Sequence, residues 1–223
     1  MKLRNISFLL LNLFVNAFVF SQTITDYFQE LPDSSVMGLT QKERMKIVKY
    51  SIDNISYDDA IKDLKKDGNF YAFSKIDINN GFLEMIGYFE GLFQMCYWNL
   101  SNGNKLIAVY QYGSGPVGYV ELFDFFIFNG KEYELVKLKD IIPNNLEKDF
   151  FRNNYEYNIK KMEKDDIIAS LLFELPRNGK NIVVKWGNEE SQKTYEKYNI
   201  IGNRMSLIWN DGEFIKGNIY WEK

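Results

Sequence analysis

Hydrophobic positions change their period twice along the chain. Ile6 to Phe20 is an almost unbroken apolar run, interrupted only by Ser7, Asn12 and Asn16. From residue 22 to about 68 the apolar positions recur at helical spacing. Thr40 and Glu43 form a T-x-x-E capping box, in which each side chain satisfies the other residue's amide. Met45, Val48 and Ile52 follow on one face with Ile47 beside them, which predicts a helix over Gln41–Asp53. A second helix starts after Ser56 with Asp59 as its box partner, carries Ala60, Ile61 and Leu64, and stops at Gly68. Asp58, Asp59 and Asp63 suit its positive end.

From Asn69 the period is two. Strands are predicted at about 70–78, 82–89, 92–100, 104–112, 117–128 and 131–138, each pairing with the one before it. Asn80-Gly81, Asn102-Gly103 and Asn129-Gly130 separate them and predict type I′ turns, which need two residues at positive φ. Gly87 and Gly91 predict bulges or bends. Pro143 closes this meander. A short helix is expected around Leu146, Phe150 and Phe151, and the charged residues 155–166 read as a connector. Hairpin patterning returns with Ile167–Leu175 and Asn181–Trp186 around Asn178-Gly179. A polar helix or loop covers 188–199. Arg204–Trp209 and Phe214–Trp221 then flank Asn210-Asp211-Gly212. The expectation is an α+β fold: a mainly antiparallel β-meander with an N-terminal helical pair packed on the sheet, and the C-terminal hairpins forming a second sheet against the first.

The first 21 residues change this picture. Lys2 and Arg4 precede the apolar run, and Val19-Phe20-Ser21 offers small residues where a signal peptidase cuts. The run is about 15 residues long, against about 20 for a spanning helix. Residues 1–21 are therefore expected to be a removed signal peptide. Residues 22–223 then form a single α+β domain, which divides, if at all, into 22–143 and 167–223. The expected location is outside the cytoplasm, periplasmic or secreted, with no membrane span after cleavage.

Composition narrows the chemistry. Without Lys2 and Arg4 the chain holds 25 basic against 30 acidic residues, with no basic stripe, so nucleic acid is not an expected partner. Eighteen Phe and 15 Tyr favour sheet. Cys96 is the only cysteine, which rules out an intramolecular disulfide. There is no histidine, which removes His-based triads, histidine general bases and His-ligated zinc.

Three constellations remain. Gly113-Ser114-Gly115-Pro116-Val117-Gly118 lacks both the nucleophile-elbow spacing and the P-loop lysine. It reads as a glycine-rich reversal able to serve as a recognition loop. Glu84, Glu90, Glu121 and Asp124 lie on neighbouring strands, where two of them facing one cleft would suit a glycosidase. Trp98, Tyr110, Tyr112 and Tyr119 would supply a stacking platform. Asp77-Ile78-Asn79-Asn80-Gly81 looks like the start of a calcium loop, but Glu84 arrives far too early for the closing ligand. No metal and no cofactor are expected.

The run Trp98–Val109, the glycine loop, Phe123–Gly130 and Asp140-Ile141-Ile142-Pro143 resemble uncharacterised exported bacterial proteins. So does Leu31-Pro32 with the Leu39-Thr40 helix start. The resemblance covers about residues 28–143. It implies a bacterial periplasmic or secreted setting and brings no site residue.

The expected function is a non-enzymatic exported binding or interaction module of the bacterial cell envelope. Its partner would be an envelope protein or glycan, engaged through Gly113, Ser114, Gly115 and Pro116 with the nearby aromatics. A carboxylate-based glycoside hydrolase and an inhibitor of a secreted enzyme such as a lysozyme are the alternatives.

Overall fold

The computed structural model describes residues 22–36, 38–65, 71–87, 91–115, 118–167, 170–187 and 190–222. Residues 1–21, where a signal peptide is expected, and Gly68, Glu90 and Pro116 lie outside the described residues.

Three helices open the fold: α1 (Ile24–Glu30), α2 (Gln41–Ile52) and α3 (Tyr57–Leu64). The Thr40 box forms as expected, with Thr40 N–H donating to Glu43 Oε2 at 2.7 Å and Glu43 N–H to Thr40 Oγ1 at 3.4 Å. Ser56 caps α3 through the amide of Asp59 at 3.2 Å. The buried face of α2 is not the one the apolar spacing suggests. Arg44, Ile47 and Val48 are buried, whereas Met45 and Ile52 are 54% and 72% exposed. The rotation has a polar cause. The enclosed Arg44 guanidinium donates to the carbonyls of Leu31, Leu39 (2.9 Å) and Gln29 (3.3 Å) and pairs with Asp33 at 3.0 Å. Carbonyls at the end of α1 and in the segment leading to α2 are satisfied there.

Six strands follow: β1 (Tyr71–Asp77), β2 (Phe82–Gly87), β3 (Leu92–Asn99), β4 (Lys105–Gly115), β5 (Gly118–Phe128) and β6 (Tyr133–Val136). They form one antiparallel sheet in sequence order, as expected. The turns differ from expectation. At Asn80-Gly81, Asn102-Gly103 and Asn129-Gly130 only the glycine has positive φ. The registers explain this. Asp77 pairs with Phe82, Asn99 with Lys105 and Phe128 with Tyr133, so these loops hold four or five residues rather than two. Loops of that length close on a single left-handed glycine. The bulge in this part of the sheet falls at Ser74, between Phe73 and Lys75, rather than at Gly87.

Short helices α4 (Leu138–Ile141) and α5 (Leu146–Asp149) come next, then α6 (Tyr155–Lys164). The expected connector at 155–166 is thus a helix, because Asn158 and Met162 sit four residues apart and both point into the core. The second sheet has strands β7 (Leu171–Glu174), β8 (Ile182–Trp186), β9 (Arg204–Asn210) and β10 (Glu213–Tyr220), in order β10-β9-β8-β7, with α7 (Gln192–Glu196) between β8 and β9. Here Asn210 pairs with Glu213, leaving the two-residue loop Asp211-Gly212 with both φ positive (39° and 110°).

The layers are helices, six-stranded sheet, four-stranded sheet. Alternation sends Leu83, Met85, Phe93, Met95, Ile107, Val109 and Phe126 toward α1–α3. It sends Phe82, Cys96, Trp98, Leu106, Ala108, Tyr110 and Phe125 toward the second sheet, so the larger sheet is covered on both faces. Stacked Trp98 and Trp209, 5.4 Å between centroids, anchor the two sheets. Polar ties reinforce them: Trp98 Nε1–H to Lys180 O at 2.9 Å, Leu175 N–H to Gln94 Oε1 at 3.0 Å, and Arg177 to Asp77 at 2.9 Å.

Candidate functional site

The four carboxylates do not converge. Glu84 points into the space between the sheets, where its oxygens accept from Gln94 Nε2 at 3.0 Å and Ser74 Oγ at 2.8 Å, with Lys75 Nζ at 3.4 Å. Gln94 in turn receives the amide of Leu175. Burial opposes ionisation of Glu84, but these partners outweigh it and hold the pKa below the ordinary carboxylate value. Glu84 is a structural node.

Glu121 stands opposite Tyr112, three strands from Glu84. At about 4.8 Å per strand the two are about 14 Å or more apart, beyond the separation of roughly 5–10 Å that glycosidases use. Tyr110 Oη–H donates to Glu121 Oε1 at 2.9 Å. Much of Glu121 is exposed, yet burial of the carboxyl end beside the aromatic cluster raises its pKa, and the Tyr110 bond only partly offsets this. Asp124 lies three residues further on and therefore on the opposite face, paired with Val109 toward the helices. Burial raises its pKa as well. Glu90 lies outside the described residues.

Nor do the aromatics form a platform. Trp98 and Tyr110 are 3% and 0% exposed. Tyr110 is packed edge-on to Phe123 and Phe173 at 5.2 and 5.7 Å. Neither ring offers a face to a ligand. Tyr112 is half-buried beside Tyr110, and the side chain of Tyr119 is not among those described. Asp77 is engaged by the Asn80 amide at 3.2 Å and by the Arg177 guanidinium at 2.9 Å.

What the structure adds is the shape of the glycine loop. β4 and β5 are each 11 residues long and pair along their whole length, from Lys105↔Phe128 to Gly115↔Gly118. β3 leaves β4 at Leu92↔Tyr112, and β6 covers β5 only from Phe125. Among the described residues, 113–115 and 118–120 therefore pair only with each other. They extend about 10 Å past β3, at about 3.3 Å per residue. Gly113 marks the departure point, since a Cβ there would stand 3.0 Å from the Cα of Gly91. Along the other side, β5 takes no strand partner from Gly118 to Asp124 among the described residues, and α4 packs against β5 beyond the end of β6. Gly113, Ser114 and Gly115, three of the expected recognition residues, lie on this ribbon.

A cleft of about 310 Å³ lies between α2, α3 and β1, walled by Ile47, Ala60, Leu64 and Phe73 with Tyr50 and Lys75 at its polar side. Tyr50 donates to Asp63 across the two helices. No group of acidic or cysteine side chains suited to a metal ion occurs among the described residues.

No protein-family profile matches the chain, and no curated protein does. Among solved structures, the chain is similar to a domain of an uncharacterized protein from Porphyromonas gingivalis W83. The TM-score is 0.57 at 14% identity, covering 87% of this chain and 97% of that one. The likeness shows a shared fold.

Proposed function

We propose that this chain is an exported, non-enzymatic interaction module of the bacterial cell envelope, and that the β4–β5 ribbon is its recognition element. The observation that carries the reading is the pairing pattern. A two-stranded ribbon projects past its sheet, and its outer edge has no strand partner among the described residues, which suits the addition of an extended segment of a partner protein. Such an edge is an aggregation liability unless it is used or guarded, and the half-buried Asp124 and exposed Glu121 guard its inner end. The dispersal of the carboxylates and the missing imidazole favour recognition over hydrolysis. The apolar leader with its cleavage pattern supports export.

A photo-crosslinking residue at Val120 (38% exposed) tests the reading against the same residue at Leu135, which is 63% exposed on short edge strand β6. In cells, a discrete adduct from position 120 and none from 135 is expected. Equal labelling from both positions would remove the ribbon from consideration. Edman sequencing of the chain recovered from a periplasmic or culture fraction should begin at Gln22. A second reading has its own support: a ribbon two strands wide is narrow enough to enter an enzyme's cleft, as an inhibitor does. Assays against a panel of muramidases and proteases distinguish it from a partner bound along the edge.

A further inference from the structure

A separate pocket of about 270 Å³ lies at the far end of the smaller sheet, lined by Arg152, Glu196, Asn199, Ile200, Ile201 and Trp221. Its floor is rigid. Phe151 and Ile200 form an antiparallel bridge, with Arg152 N–H donating to Asn199 O and Ile201 N–H to Phe150 O, both at 2.9 Å. Its wall ends a column of aromatic rings that rises from the core. Trp186 stacks on Tyr195 at 6.3 Å and 29°, and Tyr195 lies against Trp221 at 6.1 Å and 33°. Trp186 and Tyr195 are buried, whereas Trp221 is only half-buried. The column fixes the plane of the Trp221 indole and leaves its outer surface as the next place in the stack.

The polar groups around that place are of both kinds. The Arg152 guanidinium is exposed and makes no ion pair or hydrogen bond with another described side chain. Among the described residues, the Asn199 side chain makes one long contact, to Asn158 at 3.5 Å. Glu196 uses one oxygen, Oε1, to accept from Gln192 at 2.9 Å, leaving the other. Donors and a carboxylate acceptor beside an oriented indole suit a ligand with one flat apolar face and a rim of groups that both donate and accept. A sugar ring has this character. The carboxylate of Glu196 disfavours an anion, and a volume near the lower end of the ligand-pocket range, about 300 Å³, leaves room for one ring. We infer that this pocket is a carbohydrate subsite for a single neutral sugar ring, stacked on Trp221 and hydrogen-bonded by Arg152, Asn199 and Glu196. None of these residues lies on the ribbon, so this site and the ribbon stand or fall separately.

The test is a titration of the folded chain with glucose, galactose, mannose, N-acetylglucosamine and N-acetylgalactosamine at millimolar concentration. It is read by backbone amide NMR, with sodium glucuronate as the anionic comparison. At least one neutral sugar should saturably shift the amides of Arg152 and Asn199, and glucuronate should bind more weakly. Arg152→Ala and Glu196→Ala should each weaken binding at least about tenfold, the scale of a hydrogen bond to a charged group. Arg152→Ala should keep the wild-type Tm, because no described side chain depends on that guanidinium. Trp221→Leu should abolish binding. If it unfolds the chain, the other two variants decide. Silence of all five neutral sugars at residues 152 and 199, or unchanged affinity in Arg152→Ala and Glu196→Ala, would overturn the inference.

Discussion

Glu84 and Asp124 are both half-polar positions on alternating strands, and the same alternation gives them opposite energetic roles. Glu84 is ionised more readily in the folded state than in the unfolded one. Its contribution is therefore complete at neutral pH and disappears as the pH falls from the ordinary 4.5 downward. Replacing it by alanine strands Gln94 and Ser74, at a cost of about 1–3 kcal/mol. Denaturant titrations of Glu84→Ala should show that loss at pH 7, and the gap to wild type should narrow in acid. Asp124 behaves in the reverse sense. Its raised pKa means that the folded state favours the proton, so the charged form costs stability above that pKa and the cost vanishes as the pH falls through it. Asp124→Asn should raise Tm at pH 7 and match wild type at low pH. A lower Tm at pH 7 would mean that the carboxylate has a favourable role. Neither role is legible from residue identity, because a strand carboxylate's pKa depends on which residues the register brings beside it.

Elements were legible where the pattern is local. The Thr40 box, the bounds of α2 and the six strands follow from capping chemistry and period-two alternation alone. The turn types were not, since Asn-Gly specifies a I′ turn only when the loop is two residues long. Loop length depends on where cross-strand pairing stops, a tertiary property. Asp211-Gly212 is the described loop where both conditions meet. The face of α2 was hidden for a related reason. Hydrophobic spacing cannot foresee that an arginine will be buried to satisfy carbonyls from another segment. Arg44→Met would keep the volume and orphan those carbonyls. It should cost about 3 kcal/mol or more, measured as a shift of the unfolding midpoint. A neutral outcome would mean that α2 can turn its Met45–Ile52 face inward instead.

At the scale of the molecule, the sequence foretold two antiparallel sheets but not what lies between them. Trp98 and Tyr110 belong to that interior, and placing them in a binding platform confused an inward face with an outward one. The pattern could not say which face of the meander the second sheet would cover. The same topology leaves the β4–β5 ribbon outside the sandwich, and the functional account depends on it. The decisive measurement is quantitative capture of the crosslinked partner by two forms of the chain. One is wild type. In the other, Asn-Gly joins Gly113 directly to Val120, a register pair of the same hydrogen-bonded kind as Gly115↔Gly118 and so suited to a two-residue turn. The shortened chain should keep its Tm within a few degrees, as the removed residues pair only with one another among the described residues, and should lose the partner. Full retention of the partner by the shortened chain, at equal stability, would contradict the account.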